Sequence, residues 1–204
     1  DRGIYGKLMP YLDFHGASIH YEFHSTDSVH PPLVLVHGFL EDKRMWENLL
    51  PQWTAYGSVL TVDLPGHGAT PSFGYEHSME FMADALYALT SFLKLKPFLL
   101  LGHSMGGYVG LEYAVHYSDQ LASLGLFFST PKDDNPERKE LRLRAMDAAK
   151  AHPKTYLKSS IENLFWEESL TRYKAEVAMV TTEALKTSTQ GIVAALAGMR
   201  ERPD

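Results

Sequence analysis

The stretch LLLGHSMGGYVGLEYA, Leu99 to Ala114, sets Gly102, Ser104 and Gly106 in a G-x-S-x-G pattern where an apolar run gives way to a helical one. The apolar run suits a strand buried on both faces, and the periodicity after it suits a helix. Small residues at 102, 106 and 107 permit a sharp turn that lifts the serine hydroxyl out of the sheet. The five-residue pattern alone is common in turns that close strands. Its place between strand and helix is what makes Ser104 the expected nucleophile, with Gly102, His103 and Gly106 shaping the turn around it.

The rest of the chain alternates in the same manner. YLDFH and SIHYEFH, Tyr11 to His15 and Ser18 to His24, read as a hairpin around Gly16-Ala17. PLVLVHG is a buried strand, Arg44 to Leu50 a helical segment, SVLTVD a strand ending at Asp63, and Ser78 to Leu95 a helix capped by Ser78. PFLLLG, Met105 to Tyr117 and LASLGLFF follow as strand, helix and strand. Such alternation predicts an α/β fold, a mostly parallel sheet with helices on both faces. Residues 135–200 read as about four helices without a strand, which suits a lid.

With 204 residues, 45% of them hydrophobic, the chain holds enough apolar material for one sizeable core. Its longest apolar runs fall far short of the roughly 20 residues that cross a bilayer, so no membrane partner is expected. The formal charge of −6 is uneven. Residues 1–130 hold 6 Lys/Arg against 13 Asp/Glu, and residues 131–204 hold 13 against 12. An acidic first part argues against nucleic acid as a partner. The shift falls at STPKDDNPERKE and places a boundary near Pro131, between a core at 9–130 and a helical cap at 131–204. The opening DRGIYGKL, residues 1–8, resembles an appended leader, with Met9 as the expected native start. The absence of cysteine excludes disulfides and thiol nucleophiles and leaves the cytoplasm as the default location.

Acyl transfer needs two backbone N–H groups aimed at the developing oxyanion, one after the nucleophile and one from an upstream loop. Met105 supplies the first, and Phe39, in the VHGFLEDKRMW loop beyond the first buried strand, the second. His37 and Gly38 shape that loop. DLPGHG, Asp63 to Gly68, is a turn with residues suited to special dihedrals at the mouth of the site, and His67 within it is read as a loop anchor.

In this order and spacing, His37-Gly38-Phe39, Asp63 to Gly68 and Gly102 to Gly107 resemble the α/β-hydrolase superfamily, and most of all its small bacterial serine esterase-like and MenH-like members. The resemblance covers residues 11–130, and the helical remainder resembles the cap that those enzymes insert after the sixth strand. It implies hydrolysis of a small ester or related acyl substrate through Ser104, without metal or organic cofactor. Cap residues Leu164, Phe165 and Trp166 would line an apolar pocket. Two other readings stay open: a MenH-like lyase, for which Arg138, Arg142 and Arg144 would meet an acidic substrate, and a catalytically inactive binding module that keeps the pocket.

The triad order of the resembled enzymes puts acid and histidine after the serine. His116 lies 12 residues along the following helix, roughly 18 Å from Ser104 at the helical rise, which excludes it. His152 sits at a break between cap helices and would need a mobile lid. His103 adjoins the serine and should point away from it. His20 and His24, four residues apart on a strand, stand roughly 13 Å from each other and make no metal site. Asp133 and Asp134 lie near an alternative acid position. The resemblance therefore implies that the last two strands of the fold, the final helix, and the acid and histidine of the triad are not in these residues. LASLGLFF, Leu121 to Phe128, would then be an exposed apolar edge, to be covered by further chain, a partner chain or a homodimer.

Overall fold

The computed structural model describes residues 11–95 and 97–204, so residues 1–8, expected to be appended, and Met9 lie outside the described residues. Six strands form one sheet: β1 (Tyr11–Phe14), β2 (Ala17–His24), β3 (Leu33–Val36), β4 (Val59–Val62), β5 (Phe98–His103) and β6 (Leu121–Phe127). Their spatial order is β1-β2-β4-β3-β5-β6. β1 and β2 run antiparallel to their neighbours, and β4, β3, β5 and β6 are mutually parallel. Val36 pairs with both Val62 and Gly102, so the carboxyl ends of the three central strands finish side by side. That is where parallel sheets place their sites.

The hairpin turn falls at His15-Gly16, one residue before the expected Gly16-Ala17. Both residues have positive φ, 51° and 81°, and Phe14 pairs with Ala17. A two-residue loop with both φ positive matches strand twist, and it wants glycine in the second position, which fixes the register. The expected helix at Arg44 to Leu50 is instead a short 3-10 turn, Lys43–Trp46, followed by α1 (Leu50–Thr54) with proline in its first turn. Proline is tolerated there because its missing N–H has no helical partner to lose. Helix α2 (Met79–Phe92) begins as expected, the Ser78 hydroxyl accepting the Phe81 N–H at 3.0 Å. It ends earlier than expected, before Lys94 at φ 55°.

Helices cover both faces. Val34, Val36, Leu60, Val62 and Leu100 pack with α2 and α3 (Met105–His116) in the main core, whereas Leu35 and Val59 face Trp46 and Trp53 on the other side. The segment after β6 holds five helices rather than four: α4 (Pro136–Ala151), α5 (Pro153–Glu162), α6 (Glu167–Arg172), α7 (Lys174–Ala184) and α8 (Thr189–Glu201). Helix α8 packs along α4 and is also seated on the 64–78 loop. A Cβ on Gly198 would stand 1.7 Å from the His77 carbonyl oxygen, and one on Gly191 2.3 Å from that of Gly66. The Ala194 carbonyl accepts the His77 N–H at 3.0 Å.

β6 pairs with β5 along one edge, and among the described residues no strand pairs its other edge. Phe128, just beyond it, is 82% exposed. No helix among the described residues is long and apolar enough to cross a membrane.

Candidate active site

Ser104 follows β5 and precedes α3 with φ 49° and ψ −114°, a left-handed conformation that costs a non-glycine residue about 1–3 kcal/mol and persists only where the surroundings impose it. Here the surroundings leave no alternative. A Cβ on Gly102 would come 2.2 Å from the Gly106 carbonyl oxygen, one on Gly106 2.4 Å from that of Val36, and one on Gly107 2.3 Å from the Ser129 hydroxyl. Helix α3 is thus pressed against β3 and β5, and only glycine fits at the contacts. The Ser104 backbone is held on both sides: its N–H donates to the Phe127 carbonyl at 3.0 Å, and its carbonyl accepts the Ser129 hydroxyl at 2.8 Å.

The loop after β3 approaches this turn from the adjacent strand. A Cβ on Gly38 would lie 3.2 Å from the Ser104 Cβ, so the two segments touch. Buried His37 shapes the loop through both ring nitrogens. Its Nε2 accepts the Leu64 N–H at 2.9 Å, which leaves the proton on Nδ1, donated to the Gly38 carbonyl at 2.7 Å. One ring therefore joins the loop after β3 to the turn after β4. In that turn Asp63 accepts from the Lys43 N–H, the Lys43 ammonium and the Ala69 N–H at 2.8–2.9 Å, a purely architectural set of bonds. His67 is buried, its Nδ1 3.1 Å from the Pro65 carbonyl. Burial first, and the neighbouring His37 second, push its pKa down to about 3. It is a neutral loop anchor, as the sequence suggested.

Among the described residues, neither the Phe39 nor the Met105 N–H donates to another protein group. Ser104, Phe39 and His103 open onto a cavity of about 660 Å³ roofed by the cap, with Tyr156, Ser160 and Leu141 among its opposite walls. Arg138 and Arg142 belong to this lining, whereas Arg144 pairs with Glu140 on the surface. Of the three cap residues expected to form an apolar pocket, Leu164 lines the cavity, but Phe165 and Trp166 do not, and Trp166 is 76% exposed.

None of the ten histidines is hydrogen-bonded to the Ser104 hydroxyl. His116 pairs with Glu80 and Glu112 at the far end of α3, and exposed His152 sits at the α4–α5 junction outside the cavity lining. Asp134, read from the sequence as a possible acid, is fully buried and bound by Arg142, by Arg202 at 2.8 Å and by Arg138 at 3.6 Å. Burial opposes its charge, but the Arg142 hydrogen bond and the charges of Arg142 and Arg202 prevail and hold its carboxyl below the usual range. Asp133 is exposed and pairs with Lys139.

His103, expected to point away from Ser104, makes no hydrogen bond to its hydroxyl; it lines the cavity, with Nδ1 2.8 Å from Glu41 Oε2. Glu41 escaped the sequence reading. The available signal was an acid three residues after Gly38, within reach of that N–H.

The family model described as "Alpha/beta hydrolase family" matches residues 33–201. The chain belongs to this family. Among curated α/β-hydrolase relatives, monoacylglycerol lipase ABHD6 of Bos taurus is 31% identical over 150 residues, 69% of this chain and 44% of that protein. Pimeloyl-[acyl-carrier protein] methyl ester esterase of Neisseria meningitidis is 37% identical over 107 residues, half of this chain and 40% of the relative. The chain thus spans less than half the length of these relatives. Among solved structures, a thermophilic esterase from Thermogutta terrifontis, malate bound, superposes with a TM-score of 0.86 at 30% identity, covering 96% of this chain and 72% of that one. MenH from S. aureus superposes with a TM-score of 0.74 at 26% identity, covering 90% and 73%.

Proposed function

We propose that this chain carries the nucleophile half of a serine hydrolase acting on a small ester or related acyl compound. Ser104 attacks the carbonyl, the Phe39 and Met105 N–H groups hold the oxyanion, and His37, Gly38, Gly102, His103 and Gly106 set their geometry. The observation that carries the reading is the left-handed Ser104 at the floor of the cavity, wedged by glycine contacts against a loop whose next N–H is unpaired. Transfer of the serine proton needs a histidine with a carboxylate partner. We assign that pair outside the described residues, since no histidine here bonds Ser104 and Asp134 is held by arginines. Relatives with lipase and esterase names support the hydrolytic class, and no cofactor is called for in it.

Arg138 and Arg142 in the cavity lining favour a second reading, a MenH-like lyase or an esterase for acidic substrates. A third keeps the cavity for binding alone. A fluorophosphonate separates the two catalytic readings, which share Ser104, from the binding one. A mass shift on Ser104 that disappears in Ser104→Ala would show an activated nucleophile and would imply a base supplied by His152 or a partner chain. No adduct on the wild-type chain would sink the claim that these residues are active by themselves.

A further inference from the structure

We infer that Glu41 is a positioning residue for the Ser104 reaction, its carboxylate tying the oxyanion loop to the residue that precedes the nucleophile. The inference rests on the reading of Ser104 as nucleophile. Glu41 Oε2 accepts two hydrogen bonds, from the Gly38 N–H at 2.7 Å and from His103 Nδ1–H at 2.8 Å. Gly38 follows β3 and His103 ends β5, so one carboxylate oxygen joins the carboxyl ends of two adjacent strands. Bonds to an ionised acceptor are shorter and roughly twice as strong as neutral ones, which suits them to holding a geometry.

Three features show what this link accomplishes. Glu41 takes the Gly38 N–H, while the next N–H, that of Phe39, has no protein acceptor among the described residues. The loop also needs restraint, because Leu40 stands at φ 64°, a conformation strained for any residue but glycine. The junction is tight as well: a Cβ on Gly38 would meet Glu41 Oε2 at 2.7 Å, His103 Nδ1 at 2.9 Å and the Ser104 Cβ at 3.2 Å. Glu41, His103, Gly38 and Ser104 therefore share one point of contact, and a shift of Glu41 moves the oxyanion loop relative to the nucleophile.

Glu41 lines the cavity beside Phe39 and Ser104, and its side chain is 20% exposed at a loop, so its removal empties no core. Positioning is separable from folding on that ground. The test compares Glu41→Ala and Glu41→Gln with the wild type on p-nitrophenyl acetate, with melting temperature measured alongside. Misplacement of reacting groups by about 1 Å costs on the order of 100-fold, so Glu41→Ala is expected to lose about 10- to 100-fold in kcat with KM and melting temperature little changed. Glu41→Gln keeps an acceptor oxygen and is expected to recover most of the loss. A kcat within about twofold of wild type in a folded Glu41→Ala protein overturns the proposal, as does failure of Glu41→Gln to outperform Glu41→Ala.

The His103 ring separates this failure from failure of the hydrolase reading. Nitrogen chemical shifts of the neutral ring are expected to place its proton on Nδ1 in the wild type and to lose that preference in Glu41→Ala. Equal shifts in the two proteins overturn the link whatever the activity. A wild type inert to both ester and fluorophosphonate removes the reaction that Glu41 is proposed to serve, while the ring shifts still decide the link.

Discussion

Asp134 is buried directly against Arg202, whose Nη1 stands 2.8 Å from its Oδ1. Arg142 closes on the same carboxylate, and the Arg202 guanidinium lies 4.0 Å from the Tyr108 ring centroid while donating to the Lys132 carbonyl at 2.9 Å. The carboxylate thus binds together the start of the post-β6 segment, helix α4 and the residues after α8. Removing one partner of a buried ion pair costs about 3–5 kcal/mol, because the other charge is left uncompensated. Asp134→Ala is expected to lose stability of that order in urea unfolding. A loss under about 1 kcal/mol would mean that the cluster is solvated. Since the carboxyl is held below its ordinary range, its contribution is complete above that range and is lost only as pH falls through the lowered value.

The histidines beside the site behave differently with pH. His67 is pushed down to about 3 and His77 to about 4, in both cases chiefly by burial. Each stays neutral in the fold while the unfolded chain takes a proton near the ordinary value of 6.5. Their stabilising contribution is therefore present above that value and falls as pH drops, by about 1.4 kcal/mol per unit for each histidine. Urea midpoints are expected to decline from about pH 6.5 down to pH 4, and less steeply in His67→Gln. A flat profile across that window in the wild type contradicts their neutral burial.

His37 holds two buried backbone groups, the Leu64 N–H and the Gly38 carbonyl. Leaving a buried polar group unsatisfied costs about 1–3 kcal/mol, so His37→Ala is expected to lose roughly 2–4 kcal/mol and to slow fluorophosphonate labelling of Ser104. If labelling is unchanged in a destabilised variant, the ring supports the fold without setting the geometry of the loop.

The Ser104 turn and the hairpin were readable from sequence to within a residue because both depend on local glycines and apolar alternation. Glu41 was not, since its partner His103 is 62 positions away and no local pattern pairs them. Asp134 misled for the same reason. In sequence it is an acid after β6, and only the return of the chain through α8 brings Arg202 onto it. The cap residues show the limit of composition: Leu164 and Trp166 are both apolar, yet one meets the cavity and the other solvent.

The sequence by itself determined an alternating α/β chain with a serine on a strand-to-helix turn, because hydrophobic period and glycine placement act over a few residues. Only the tertiary structure decided that the Glu41 carboxylate ties the loop after β3 to His103 and that the Asp134 carboxylate is held by arginines. Those outcomes depend on the carboxyl ends of β3, β4 and β5 meeting beneath the cap, where burial and charge act between residues far apart in the chain.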